Sequence, residues 1–191
     1  LAKSHTQTYA RNFIYPKGGI GQIPERMAEK IKAQKGRILT QQEVRKVTRT
    51  KEGFAVETKD GQNNARVFNA KKLICTIPLP DFIFMFEGEG AGRIKERAKG
   101  LDFRSVRCLN VMIDSPQITD NTWIYVPENK YIFFRIQEMI NWHPENCAPD
   151  KTSLTFEIAC QAGDERWSLD DEELLRLCLA DLKKIGCAIA D

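Results

Sequence analysis

Two short alternating runs on either side of Asp60-Gly61 constrain this chain more than any other stretch. In Gly53–Thr58, Phe54 and Val56 alternate with Ala55 and Glu57, the period-two pattern of a strand with one dry face. Asp60-Gly61 is a strong hairpin turn, and Gln62-Asn63-Asn64 lengthen the loop. Arg66–Asn69 then returns. Upstream, Arg37–Thr50 sets Ile38, Val44 and Val47 among polar residues; downstream, Leu73–Ile77 reads as a short buried strand. The pattern predicts a three-stranded meander feeding a further strand, which Pro78 and Pro80 end.

Ahead of the meander, residues 1–13 form a polar lead-in, and Gly18, Gly19 and Gly21 mark a turn. A helix over Gln22–Gln34 follows, with Pro24 in its first turn, Ile23, Met27 and Ile31 on one face, and Gly36 as its stop. Beyond Pro80 come a short apolar segment, Asp81–Phe86, a loop at 87–92 and a short helix, Arg93–Lys99. Four strands are then predicted: Ser105–Ile113, Trp123–Val126, Tyr131–Ile136 and Ser153–Cys160, the middle two joined through Pro127–Lys130. Residues 141–151 read as a loop. The final helix is capped by Ser168 with Asp171 as its capping-box partner, lined by Leu174, Leu175, Cys178, Leu179 and Leu182, and ended by Gly186. The fold class is α+β: a mixed, largely antiparallel sheet with flanking helices, plus a small β-meander. The division expected is 1–80 for the helix and meander and 81–191 for the second domain.

With 29 basic against 26 acidic residues spread along the chain, the charge does not argue for nucleic acid. The six cysteines form no CxxC pair, and His5 and His143 lie far from ligand spacing, so no metal site is expected. Cys75, Cys108, Cys160 and Cys178 sit in apolar runs and read as buried free thiols of a reducing, cytoplasmic compartment. No run approaches the roughly 20 apolar residues of a membrane span, and the first residues carry no signal-peptide core. A chain beginning at Leu1 is consistent with a piece of a longer protein.

The glycine turn at Gly18–Gly21 presents N–H groups at a helix start, but it is not G-x-G-x-x-G and follows no predicted strand. Either it approaches an anion or a flat ring, or it is a tight turn that simply needs positive φ. At Glu43-Val44 a strand edge offers main-chain donors and acceptors to a planar base, or is ordinary sheet. Thr76-Ile77-Pro78 ends a strand, where ligands of α/β sheets sit, or Pro78 simply stops it. By alternation Arg135 shares a face with Tyr131 and Phe133, and either meets solvent or binds an anionic substrate. Glu157, opposite in phase to Phe156 and Ile158, reads as an exposed carboxylate. No Ser/His/Asp or Cys/His catalytic set is present.

In order, Tyr15-Pro16-Lys17-Gly18-Gly19, Ile23-Pro24, Glu43-Val44 and Thr76-Ile77-Pro78-Leu79-Pro80 resemble the flavin-containing amine oxidase superfamily. The branch most similar holds protoporphyrinogen oxidase-like, phytoene desaturase-like and UDP-galactopyranose mutase-like proteins. The resemblance implies an FAD-dependent oxidoreductase that passes a hydride from an organic small-molecule substrate to flavin. It places Glu43 and Val44 against the adenine, Thr76, Ile77 and Pro78 near the cofactor, and Tyr125 and Arg135 in the substrate pocket. The family's G-x-G-x-x-G unit and its C-terminal Gly-Asp segment do not occur in this sequence. The chain therefore reads as a central piece that supplies most of the substrate pocket. It is not expected to hold FAD or to act alone, and its partners are the FAD-binding segments of the parent. A non-redox flavoenzyme of the UDP-galactopyranose mutase kind and a stand-alone binding module are the alternatives.

Overall fold

The computed structural model describes residues 14–187. They form two compact units, one of Ile31–Phe103 and one of residues 14–30 with 104–187; the boundary falls inside helix α1, Gln22–Ala33. The helix stands where its periodicity placed it, yet no residue of it is buried, and Ile23, Met27 and Ile31 are exposed.

In the unit Ile31–Phe103 the meander is as read: β1 (Gln42–Arg49), β2 (Phe54–Asp60) and β3 (Ala65–Ala70) pair antiparallel in sequence order. Val47 and Val56 are cross-strand partners and are buried together with Thr58. Gly53 is required at the entry to β2: its φ is 153°, and a Cβ there would strike the Ala70 carbonyl and come within 2.8 Å of Lys71 Cα. The Asp60 carboxylate closes the loop by accepting from the N–H groups of Gln62 and Asn64, both at 2.9 Å.

Leu73–Ile77 departs from expectation. It forms no strand and is not buried; Ile74 is 90% exposed. A strand needs a ladder partner, and no described strand pairs with this segment. The apolar segment after Pro78 is instead helix α2 (Leu79–Met85), whose first turn accepts Pro80 because that position donates no helical bond. It leads into β4 (Phe86–Glu87), parallel to β1, which makes the sheet mixed with order β3-β2-β1-β4. Helix α3 (Ala91–Ala98) starts two residues earlier than the expected Arg93, after Gly90 at φ 77°.

The other unit is an antiparallel sheet of order β5-β8-β7-β6, with β5 (Ser105–Ile113), β6 (Trp123–Tyr125), β7 (Arg135–Glu138) and β8 (Thr152–Cys160). The strand expected over Tyr131–Ile136 begins only at Arg135, because residues 127–134 are a longer connection than a four-residue turn. One face is dry. Leu154, Phe156 and Ile158 of β8 pack in one cluster with Ile113, Val126, Phe133 and Ile136 and with Leu174, Cys178 and Leu182 of α5 (Asp171–Lys184). Asp170, not Ser168, caps α5, accepting from Glu173 N at 2.8 Å; Ser168 closes the short helix α4 (Glu165–Ser168), capped by Asp164.

Buried acids tie the connections to this frame. Glu138 accepts from Ile118 N and Thr119 N, both at 2.7 Å, and from Thr152 Oγ1 at 3.0 Å. Asp181 of α5 accepts from Ile132 N at 2.8 Å. Arg107 of β5 donates to the Leu169 carbonyl at 2.6 Å and to Asp171 at 2.7 Å, pinning the start of α5 to the sheet.

Phe156 is 0% exposed, so Phe156→Ala removes a ring from a closed core and is expected to cost about 3–5 kcal/mol; Val67→Ala, on an exposed position, is expected to stay within about 0.5 kcal/mol. Urea unfolding followed by tryptophan fluorescence measures both. The thiols divide: Cys160 and Cys178 are buried as expected, whereas Cys75 and Cys108 are exposed, because Leu73–Ile77 has no covering strand and Cys108 lies on the open face of β5. Burial pushes the Cys178 thiol up to about 12. Native alkylation with iodoacetamide at pH 8 should label Cys75 and Cys108 first, and Cys178 only in denaturant, as read by peptide mass spectrometry.

Candidate functional site

The first site lies wholly within the unit Ile31–Phe103. β1 has β2 along one edge, while β4 reaches only Val47 and Thr48 on the other. The outer edge of Gln42–Lys46 therefore has no described strand beside it. The ladder also shifts register between Val44 and Lys46, which leaves Arg45 as a bulge, and Gln41 just upstream holds φ at 56°. Bulges free main-chain groups and bend a strand. Beside this edge runs the extended segment Leu73–Pro78, and α2 closes the far side with Asp81, Phe82 and Met85. Together they bound a cleft of about 570 Å³, lined chiefly by Val44, Val47, Val56, Leu73, Ile74, Ile77 and Phe82.

Glu43, Val44, Thr76, Ile77 and Pro78, separated by more than thirty residues, all line this cleft. Val44 is half-buried, and Glu43 is exposed with Arg45 Nη2 at 2.5 Å from its carboxylate. An apolar slot edged by unpaired main-chain groups suits a flat heterocycle with its own donors and acceptors. None of the lining residues is basic.

The second site is the face of the other unit's sheet turned away from α5. Cross-strand register sets Tyr125, Arg135, Glu157 and Cys108 in one row, one residue from each strand. The next row holds Trp123, Gln137, Thr155 and Asn110. Glu157 is 5% exposed, not the exposed carboxylate its phase suggested, because β8 is central and the long side chains of β7 fold over it. Arg135 Nε and Nη2 donate to its two oxygens at 2.9 and 2.6 Å, and Gln137 Nε2 donates to Oε1. Arg135 Nη1 donates to Tyr125 Oη at 3.3 Å. These bonds, Glu157 first, hold the guanidinium above its ordinary value.

Arg135 and Tyr125 are thus brought within hydrogen-bond distance of each other. Tyr131 and Phe133 are not on their face: Phe133 is in the core, since alternation applies only once β7 begins. The burial of Glu157 is what pattern reading missed; its phase was legible, its ion pair was not. An aromatic run flanks the row, with the Trp123 and Trp142 rings tilted at 39° and 4.9 Å apart, and Trp142 5.4 Å from Tyr15. Among the described residues there is no cluster of His, Cys, Asp and Glu able to hold a metal ion, and no helix is long and apolar enough to cross a membrane.

The family model described as flavin containing amine oxidoreductase matches residues 1–190. Solved structures similar to the chain include reduced UDP-galactopyranose mutase, with TM-score 0.75 at 18% identity over 93% of this chain and 38% of that one. A putative protoporphyrinogen oxidase from Exiguobacterium sp. 255-15 superposes with TM-score 0.61 at 20% identity, over 90% of this chain and 36% of that one. Wild-type putrescine oxidase bound to putrescine gives 0.54 at 15% identity, over 87% and 35%. The chain thus spans under two fifths of the length of these three structures. No curated protein matches it.

Removing one partner of the Arg135–Glu157 pair leaves a sheltered charge unmatched. Arg135→Met is expected to destabilise by about 2 kcal/mol, below the 3–5 kcal/mol of a fully buried pair because the side chain of Arg135 is 32% exposed. Glu157→Leu in the same background should recover most of it. Thermal melts of the two singles and the double give the coupling.

Proposed function

The chain belongs to the flavin containing amine oxidoreductase family, and from that premise we propose that it is the central piece of an FAD-dependent oxidoreductase acting on an organic small molecule. The unit Ile31–Phe103, not residues 1–80, supplies the adenine side of the cofactor, because α2 closes the cleft, and the sheet of residues 104–187, not all of 81–191, supplies the substrate side. The observation that carries the reading is the cleft of the unit Ile31–Phe103, where Glu43, Val44, Thr76, Ile77 and Pro78 converge on an unpaired strand edge. Val44 would meet the adenine through main-chain groups, while Ile77 and Pro78 would close the slot and exclude water. Bound FAD supplies a hydride acceptor. The residues of this chain bind and orient: the rigid row Tyr125–Arg135–Glu157 holds a polar group of the substrate, and the exposed side chains beside it shelter the rest. The free thiols fit a cytoplasmic protein.

A second reading is a non-redox flavoenzyme of the sugar-mutase kind, to which the shared fold with UDP-galactopyranose mutase lends support. It ranks lower, because the arginine on the open sheet face is already neutralised by Glu157 and is poorly placed to meet a nucleotide-sugar diphosphate. A stand-alone binding module is the reading left if flavin is absent altogether.

The parent protein, purified with its remaining segments, should show flavin absorbance near roughly 370 and 450 nm. No such absorbance, even after reconstitution with FAD, would sink both flavoenzyme readings. The chain alone should retain no stoichiometric FAD after gel filtration.

A further inference from the structure

The open sheet face carries a more specific message about what it accepts. Arg135 has five N–H donors, and the Nε and Nη2 edge is spent on Glu157 in a bidentate pair. The pair is formally neutral, and Gln137 adds a third bond to the carboxylate, which fixes the guanidinium plane. Tyr125 Oη accepts from Arg135 Nη1, so its own proton is directed away from the guanidinium and is left to donate elsewhere. What faces solvent is therefore a tyrosine O–H and a remaining Nη1–H, two donors side by side with no net charge behind them. Beside them the Trp123 ring stands edge-on to Tyr125 with centroids 6.5 Å apart, and exposed Cys108 closes the row on β5.

We propose that this row takes an uncharged hydrogen-bond acceptor, a carbonyl or ether oxygen on a flat apolar molecule, and that Glu157 is the positioning residue that makes the site prefer it to an anion. An anion would have to compete with Glu157 for the guanidinium and lie near a buried carboxylate that cannot leave; like charge across a desolvated contact is repulsive. A neutral acceptor meets both donors without that penalty, and a flat body lies on the pleated surface beside the Trp123 ring. This rests on reading the face as the substrate side. The two fail separately, since the flavin test reads the absorbance of the parent and the present one reads ligand preference in the chain as it stands.

Coumarin, a neutral flat lactone, and coumarin-3-carboxylate, its anionic counterpart, are suitable probes, followed by quenching of tryptophan fluorescence. The intact chain should bind coumarin at least as tightly as the carboxylate. Glu157→Gln, which frees the guanidinium charge, should strengthen carboxylate binding about tenfold and leave coumarin within about threefold. Glu157→Asp should return the preference towards the original, a rescue that a purely structural role would not produce. A tenfold preference of the intact chain for the carboxylate, an unchanged ratio in a folded Glu157→Gln, or no binding of either probe overturns the proposal. Should Glu157→Gln fail to fold by circular dichroism, Tyr125→Phe leaves the ion pair in place and should weaken coumarin about fivefold; no weakening there also overturns it.

Discussion

Strand β8 carries opposite chemistry to its two faces, and the unit built around it depends on that division. Phe156 and Ile158 go into the core with Leu174, Cys178 and Leu182, while Glu157 between them faces the other way and pairs with Arg135. A shift of one residue would bury a carboxylate among leucines and expose two large apolar side chains, so the register is strongly specified. Central position does the rest. With β5 on one side and β7 on the other, β8 shelters even its outward face, so a charge placed there must bring its own partner.

The same logic runs through the connections. The long segment between β5 and β6 is not random surface: its backbone N–H groups at Ile118 and Thr119 are answered by the buried Glu138. The segment before β7 is held through Ile132 by Asp181 of α5. Acidic side chains thus stand in for ladder partners where the chain leaves the sheet, which keeps buried main-chain donors satisfied. In the unit Ile31–Phe103 the economy is different. There the chain exposes main-chain groups, on the outer edge of β1 beside the bulge at Arg45, and brings an extended apolar segment alongside. Unsatisfied edge groups beside apolar walls are what a planar polar ligand can complete, which is why this cleft, with the family membership, carries the flavin reading.

Much of this was legible in residue pattern. The meander around Asp60-Gly61, the strands Ser105–Ile113 and Thr152–Cys160, and helix α5 follow from period and from turn chemistry, which are local. Leu73–Ile77 misled because an apolar run says only that a segment wants cover, not that a partner strand lies beside it. Tyr131–Ile136 misled because alternation has no meaning before the strand begins, and Ser168 because two acceptable capping residues, Ser168 and Asp170, stood two positions apart.

The linear order of residues was enough to specify the α+β class, the strands with one dry face and the family resemblance, because those depend on spacing along the chain. It placed Glu157 out of phase with Phe156 and Ile158, but it had no means of saying what stands across from it. That Arg135 is already neutralised, that Tyr125 accepts from it, and that Glu43 and Val44 share a cleft with Thr76, Ile77 and Pro78 are matters of register and folding across ten to more than thirty residues. Electrostatic partnership and cleft lining are properties of three-dimensional neighbourhood, and only the packed sheets supply it.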